Sequence, residues 1–194
     1  MIPVARVPEP DGFDERVRKR GAVWLSEHPG TERPHGYWRE FWWPLAEGFA
    51  WRCGYTAMHT MSGDVDHHRP YRGNEKLAYE WGNYRYADGC FNSAKKTKPI
   101  LDPYEVEEGW FEVVLPSLHM RVTERVPAAR RGEAEATLRD HDLCDGERVV
   151  RTRLQWYREH RERGLPLPAL RRFAPLVHGA VVRWLATDPR LPVL

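Results

Sequence analysis

The reading turns on Asp64-Val65-Asp66-His67-His68-Arg69-Pro70, followed by Trp81-Gly82-Asn83 and then by Gly89-Cys90-Phe91-Asn92-Ser93-Ala94-Lys95. From about Phe49 to Asp88 the chain breaks into short aromatic pieces punctuated by Gly63, Pro70, Gly73 and Gly82, a pattern of strands around a loop. A short helix is expected over about Gly89 to Lys96, with Asn92 in its first turn. Histidine ordinarily titrates near pH ~6.5, so at neutral pH much of it is a free base able to take a proton. His67 and His68 are adjacent and both can titrate, which leaves the choice between them open. Asp66 adjoins His67, and neighbours on a regular strand face opposite ways. A common target therefore requires the strand to end or distort here.

Taken in order on strand, loop, strand and helix, Asp66-His67, Asn83, Asn92 and Lys95 resemble the HNH, or ββα-metal, endonuclease family. More closely, Arg52-Cys53-Gly54-Tyr55, the Asp66-His67-x-Arg69-Pro70 run, Trp81-x-Asn83, Asn92-Ser93-x-Lys95 and Asp102-Pro103 are similar to a bacterial subgroup. That HNH subgroup stands beside ATPases in antiphage defence systems, including Septu and some retron systems. The resemblance runs over roughly residues 38 to 160.

The resemblance implies hydrolysis of DNA phosphodiesters, which needs an activated water, an electrophile on the phosphate and stabilisation of the leaving oxygen. His67, rather than His68, is the implied general base, and Asp66 the implied metal ligand. Asn92 would add a neutral oxygen opposite Asp66, and two protein oxygens with waters and phosphate suit Mg²⁺, with Mn²⁺ as the alternative. Asn83, the middle letter of HNH, is expected to bond loop backbone and hold His67 in place. Lys95, Lys96 and Arg69 would contact flanking phosphates without reading sequence. The implied partners are DNA and an ATPase subunit of a defence complex. The competing reading is a catalytically silent HNH-like scaffold that binds an ATPase or nucleic acid.

The pattern departs from the family at the zinc brace. Many HNH proteins of this type carry two Cys-x-x-Cys pairs, whose tetrahedral sulfur ligation suits structural Zn²⁺. Here Cys53 is followed by Thr56, the second pair is replaced by Asp88 and Phe91, and Cys90 is off register. Cys53, His59, Asp88 and Cys90 could be combined into an irregular site, but structural zinc is not expected. Packing by Tyr55, Trp81, Tyr84, Tyr86 and Phe91 is the expected substitute.

Composition sets the outer bounds. A chain of 194 residues, 41% hydrophobic and 30% charged, is ordinary for a globular protein with a sizeable core. Its nine Trp are read as core. A net charge of +2 is no nucleic-acid signature, so a phosphate-binding surface must come from local clustering. Three scattered cysteines do not suggest a disulfide framework and fit a reducing cytoplasm. No apolar run approaches the roughly 20 residues that span a bilayer, so neither export nor membrane insertion is expected.

The expected fold class is α+β, a small ββα-metal core with helical additions at both ends. The expected segments are an N-terminal arm and helices over 1–48, the HNH core over 49–127 and a helical region over 128–194. The Pro-rich first dozen residues read as an extended arm, helices are expected over Asp14 to Glu27 and Gly36 to Glu47, and Pro44 should kink the second. Trp110 to Leu115 predicts a strand, with another including Met120, Val122 and Val126. Three C-terminal helices are expected, over Glu133–Arg139, Asp145–Arg163 and Pro168–Ala186, the last bent at Pro175. The row of Arg148, Arg151, Arg153, Arg158, Arg161 and Arg163 reads either as a nucleic-acid track or as a solvated or protein-facing side.

Overall fold

In the computed structural model, which describes Met1–Leu194, two pairs of short strands set among helices give an α+β protein with two separate two-stranded antiparallel sheets. The chain forms two compact units, and both are discontinuous in sequence: residues 5–51 with 60–99, and residues 1–4 with 52–59 and 100–194. The segments 1–48, 49–127 and 128–194 are thus shared out between them.

The first unit holds α1 (Arg20–Glu27), α2 (Trp42–Gly48), the strands β1 (Gly63–His67) and β2 (Tyr84–Asp88), and α3 (Gly89–Lys95). A π-helical stretch, Asp14–Lys19, leads into α1, and a 3-10 turn, Tyr37–Phe41, leads into α2. Pro44 does not kink α2, because the helix begins only at Trp42 and a proline in the first turn removes no intrahelical bond. The strands pair from Gly63↔Asp88 to His67↔Tyr84. Phe13, fully buried, meets Phe41, Trp81 and Tyr84 edge-on at 5.3, 5.2 and 5.7 Å. Burying one such ring contributes about 2–3 kcal/mol, and edge-on aromatic pairs add to it. The arm ahead of Phe13 has no regular structure, yet it is held: the Trp81 indole donates to the Val7 carbonyl at 2.9 Å.

The second unit pairs β3 (Phe111–Val114) with β4 (His119–Val122) and adds α4 (Ala128–Asp140), α5 (Glu147–Arg161), α6 (Leu167–Phe173) and α7 (Pro175–Leu185). Val126 lies beyond β4, and α4 starts five residues before the expected Glu133. The last predicted helix is broken rather than bent. Ala174 sits at φ −145°, since a residue before proline avoids the helical region, and Pro175 then opens α7. Arg153 leaves the basic row of α5 and turns inward, donating to the carbonyls of Leu118, Cys144 and Leu143 at 2.9, 2.9 and 2.5 Å. Several remaining arginines pair along the helix, Arg151 with Glu147, Arg158 with Glu162 and Arg163 with Glu159, which favours a solvated face over a phosphate track. No helix is long and apolar enough to cross a membrane.

Two glycines test this packing in opposite directions. A Cβ on Gly21 would lie 2.3 Å from the Tyr79 ring, so Gly21→Ala should destabilise by about 1–3 kcal/mol. Gly132 lies within α4 with nothing within 4 Å of its Cβ position. Gly132→Ala should therefore stabilise by about 0.5–1 kcal/mol, both effects being read by denaturant unfolding.

Candidate functional site

The candidate residues all fall in the unit formed by residues 5–51 and 60–99. β1 ends at His67, so the alternation of side chains stops where Asp66 and His67 need a common outlook. Both line one cleft of about 570 Å³, together with Asp64, Asn92 and the aromatic walls Trp38 and Tyr71.

His67 is fixed in both orientation and tautomer. Its Nε2 lies 3.1 Å from the Ala78 carbonyl, and a carbonyl can only accept, so Nε2 carries the proton. The Tyr84 hydroxyl donates to the same oxygen at 2.6 Å. Nδ1 is therefore the nitrogen with the lone pair. Trp38, Tyr71 and Tyr84 present edge-on rings to the imidazole at 4.6, 4.8 and 5.2 Å. Burial in this cage is the main cause of a pKa below the ordinary 6.5, and the neighbouring Lys95 adds to it, although the Ala78 bond and Asp66 pull the other way. The ring is held as a neutral base.

Asn83 braces the loop behind it. Its Nδ2 donates to the carbonyls of Arg69 and Leu77 at 2.9 and 3.1 Å, and its Oδ1 accepts from Arg69 N at 2.8 Å. Its own carbonyl accepts from His68 N at 2.9 Å. Asn83 thus closes the loop at the foot of the strands, and its side chain is spent on backbone rather than on lining the cleft.

Lys95 does not stand where the sequence places it. Only 1% exposed, its ammonium donates to Asp66 Oδ1 and Oδ2 at 2.8 and 3.0 Å and to the carbonyls of His67 and His68 at 2.9 and 3.3 Å. A phosphate-contacting Lys95 does not fit this geometry. Removing one partner of such a buried pair typically costs about 3–5 kcal/mol, because the other charge is left in a dry setting. Asn92 stands one helical turn before Lys95 on the same face of α3, and its Nδ2 donates to the Val65 carbonyl at 3.4 Å, which turns Oδ1 to the opposite side.

Asp66 and Asn92 are two oxygen donors that could hold a metal in this cleft, one carboxylate and one amide, a hard pair suited to Mg²⁺, and the carboxylates of Asp64 and Glu32 also line it. A carboxylate offers about four lone-pair directions, so hydrogen bonding by Lys95 and coordination of a cation are compatible on one group. Asp88 caps α3: its Oδ1 accepts from Cys90 N and Phe91 N, both at 3.1 Å, and its Oδ2 accepts from the Thr60 hydroxyl at 3.1 Å.

The cleft is also lined by Arg33, Arg39, Arg72 and Lys96, all exposed. Arg72 meets Glu32 at 3.1 Å. Lys96 lies on the wall as expected, whereas Arg69 is exposed but off it. Sequence reasoning missed Arg33, Arg39, Tyr71 and Arg72, which lie outside the motif. No family model matches this chain, and neither a curated protein nor a solved structure does.

Two measurements test the arrangement. Asn83→Ala leaves three backbone groups without their partner and should cost about 2–3 kcal/mol by denaturant unfolding. A lowered His67 pKa means that the fold favours the neutral ring, so this contribution is whole above pH 6.5 and is lost as pH falls through the depressed value. Unfolding at about pH 7.5 and about pH 5 should thus show a larger loss for the natural chain than for His67→Gln.

Proposed function

We propose that this chain is an HNH-type, divalent-metal-dependent endonuclease that hydrolyses the phosphodiester backbone of DNA. The observation that supports it most is the state of His67: neutral, with Nε2–H committed to Ala78 and Nδ1 left basic, on a cleft wall shared with Asp66 and Asn92. Nδ1 takes a proton from the attacking water and directs it at phosphorus, opposite the leaving oxygen. Held by Asp66 and Asn92, Mg²⁺ or Mn²⁺ would supply charge withdrawal from the scissile phosphate and stabilisation of the leaving oxygen. Arg33, Arg39, Arg72 and Lys96 hold the flanking phosphates, a role that positions the strand without reading its sequence. The HNH motif's likeness to the ATPase-associated subgroup adds an ATPase subunit as the proposed partner, and antiphage defence as the setting.

One observation favours a second reading, a silent scaffold: Lys95 engages both Asp66 oxygens, the very carboxylate the chemistry needs. Incubation with supercoiled plasmid and Mg²⁺ or Mn²⁺ separates the two, with EDTA and an RNA substrate in parallel. The nuclease reading expects metal-dependent nicking that falls by roughly 10²–10⁴-fold in His67→Ala. It also expects Arg33→Ala and Arg39→Ala each to flatten the dependence of log affinity for duplex on log salt by about 0.9. Bound metal with neither DNA nor RNA cut establishes the scaffold instead.

A further inference from the structure

Asp66 and Lys95 are both all but sealed from water, with side chains 3% and 1% exposed. A carboxylate in that position needs a cation against it, since an uncompensated buried charge is costly. In a site assembled by a divalent ion, the ion itself would meet that need, and the metal-free protein would pull its acidic ligand apart from the rest. Here the compensation is built into the chain. Lys95 meets both carboxylate oxygens, and the same ammonium gathers the carbonyls of His67 and His68, at the end of β1 and just past it.

We propose that Lys95 is a resident counter-cation, which holds the Asp66 carboxylate in place in the metal-free protein and competes electrostatically with the divalent ion that Asp66 and Asn92 receive. This inference rests on the metal-dependent reading of the cleft. It has two consequences. The cleft is complete before an ion arrives, so folding of the natural chain is only weakly linked to metal. Lys95 also holds ion affinity down, because its unit positive charge lies against the ligand the ion must share. Lys95 is in this sense a positioning residue: it touches neither substrate nor reacting atoms.

The test uses the full chain, Lys95→Met and the double variant Asp66→Asn with Lys95→Met. Mn²⁺ is titrated calorimetrically, and thermal unfolding is followed in EDTA and in Mn²⁺. Lys95→Met should bind Mn²⁺ more tightly by roughly tenfold or more, the order expected when a unit charge is removed from beside the ion even in a strongly screened setting. Its melting temperature should drop in EDTA and recover with Mn²⁺, since an ion that binds only the folded state stabilises it by mass action. The double variant should fold in EDTA and ignore Mn²⁺.

If the natural chain binds Mn²⁺ and Lys95→Met binds it equally or more weakly, the inference is overturned while the nuclease reading stands. If neither binds Mn²⁺, the metal-dependent reading falls and takes the competition with it. Lys95→Met unfolded in both EDTA and Mn²⁺ beside a folded double variant shows that the ion cannot replace Lys95, and overturns the inference. A double variant that unfolds as well shows that Lys95 serves the strand-end carbonyls rather than the charge of Asp66, and this too overturns it.

Discussion

The buried ion pair between Asp66 and Lys95 is the constraint on which the candidate site depends. It joins the end of β1 to the last turn of α3, residues separated by 29 positions in sequence. A helix seven residues long has little stability of its own, so its angle and rotation are set by what it is fastened to. Asp88 fastens its first turn through two backbone amides, and Lys95 fastens its last. Between these two points the rotation of α3 is determined, and with it the direction in which Asn92 faces.

The imidazole obeys a different logic. Asp66 is held by charge, whereas His67 is held by shape and by one carbonyl. The Ala78 oxygen has room for two donors, and His67 and Tyr84 take both places. Three aromatic rings pack around the imidazole in T-shaped contacts. A nitrogen kept unprotonated by its neighbours is thus presented from a strand end, while the acid beside it belongs to the helix clamp. Two adjacent residues serve two separate supports.

Much of this is legible in the sequence, and what is not has identifiable causes. The α+β class, the helix over Gly89 to Lys95 and the strand at Phe111 follow from period and punctuation, which are local properties. The grouping of Asp66, His67 and Asn92 on one wall comes from a family resemblance, not from spacing. Lys95 escapes a sequence reading because a lysine in a polar helix normally faces water, and only a partner 29 residues away turns it inward. Arg33 and Arg39 are equally hidden, since they precede the motif by more than a strand and reach the cleft only through the fold. The early start of α4 is masked by Gly132, a poor helix former carried by packing from Ala134, Thr137 and Leu138. The capping role of Asp88 is itself visible in the sequence, two residues before Cys90.

The stapling of the loop by Asn83 divides it into two limbs with different freedoms. The inner limb, Leu77 to Asn83, carries the Ala78 carbonyl that fixes the imidazole, and Asn83 ties this limb to Arg69. The outer limb, Tyr71 to Asn74, ends in an open turn at Gly73, with φ 82° and no atom within 4 Å of a side chain there. Tyr71 and Arg72 belong to this outer limb and line the cleft. The loop thus carries the carbonyl that fixes the imidazole on one limb and two cleft-lining side chains on the other. The open tip at Gly73 has room for change in length or composition apart from the Asn83 brace, a separation achieved within fifteen residues, 69 to 83.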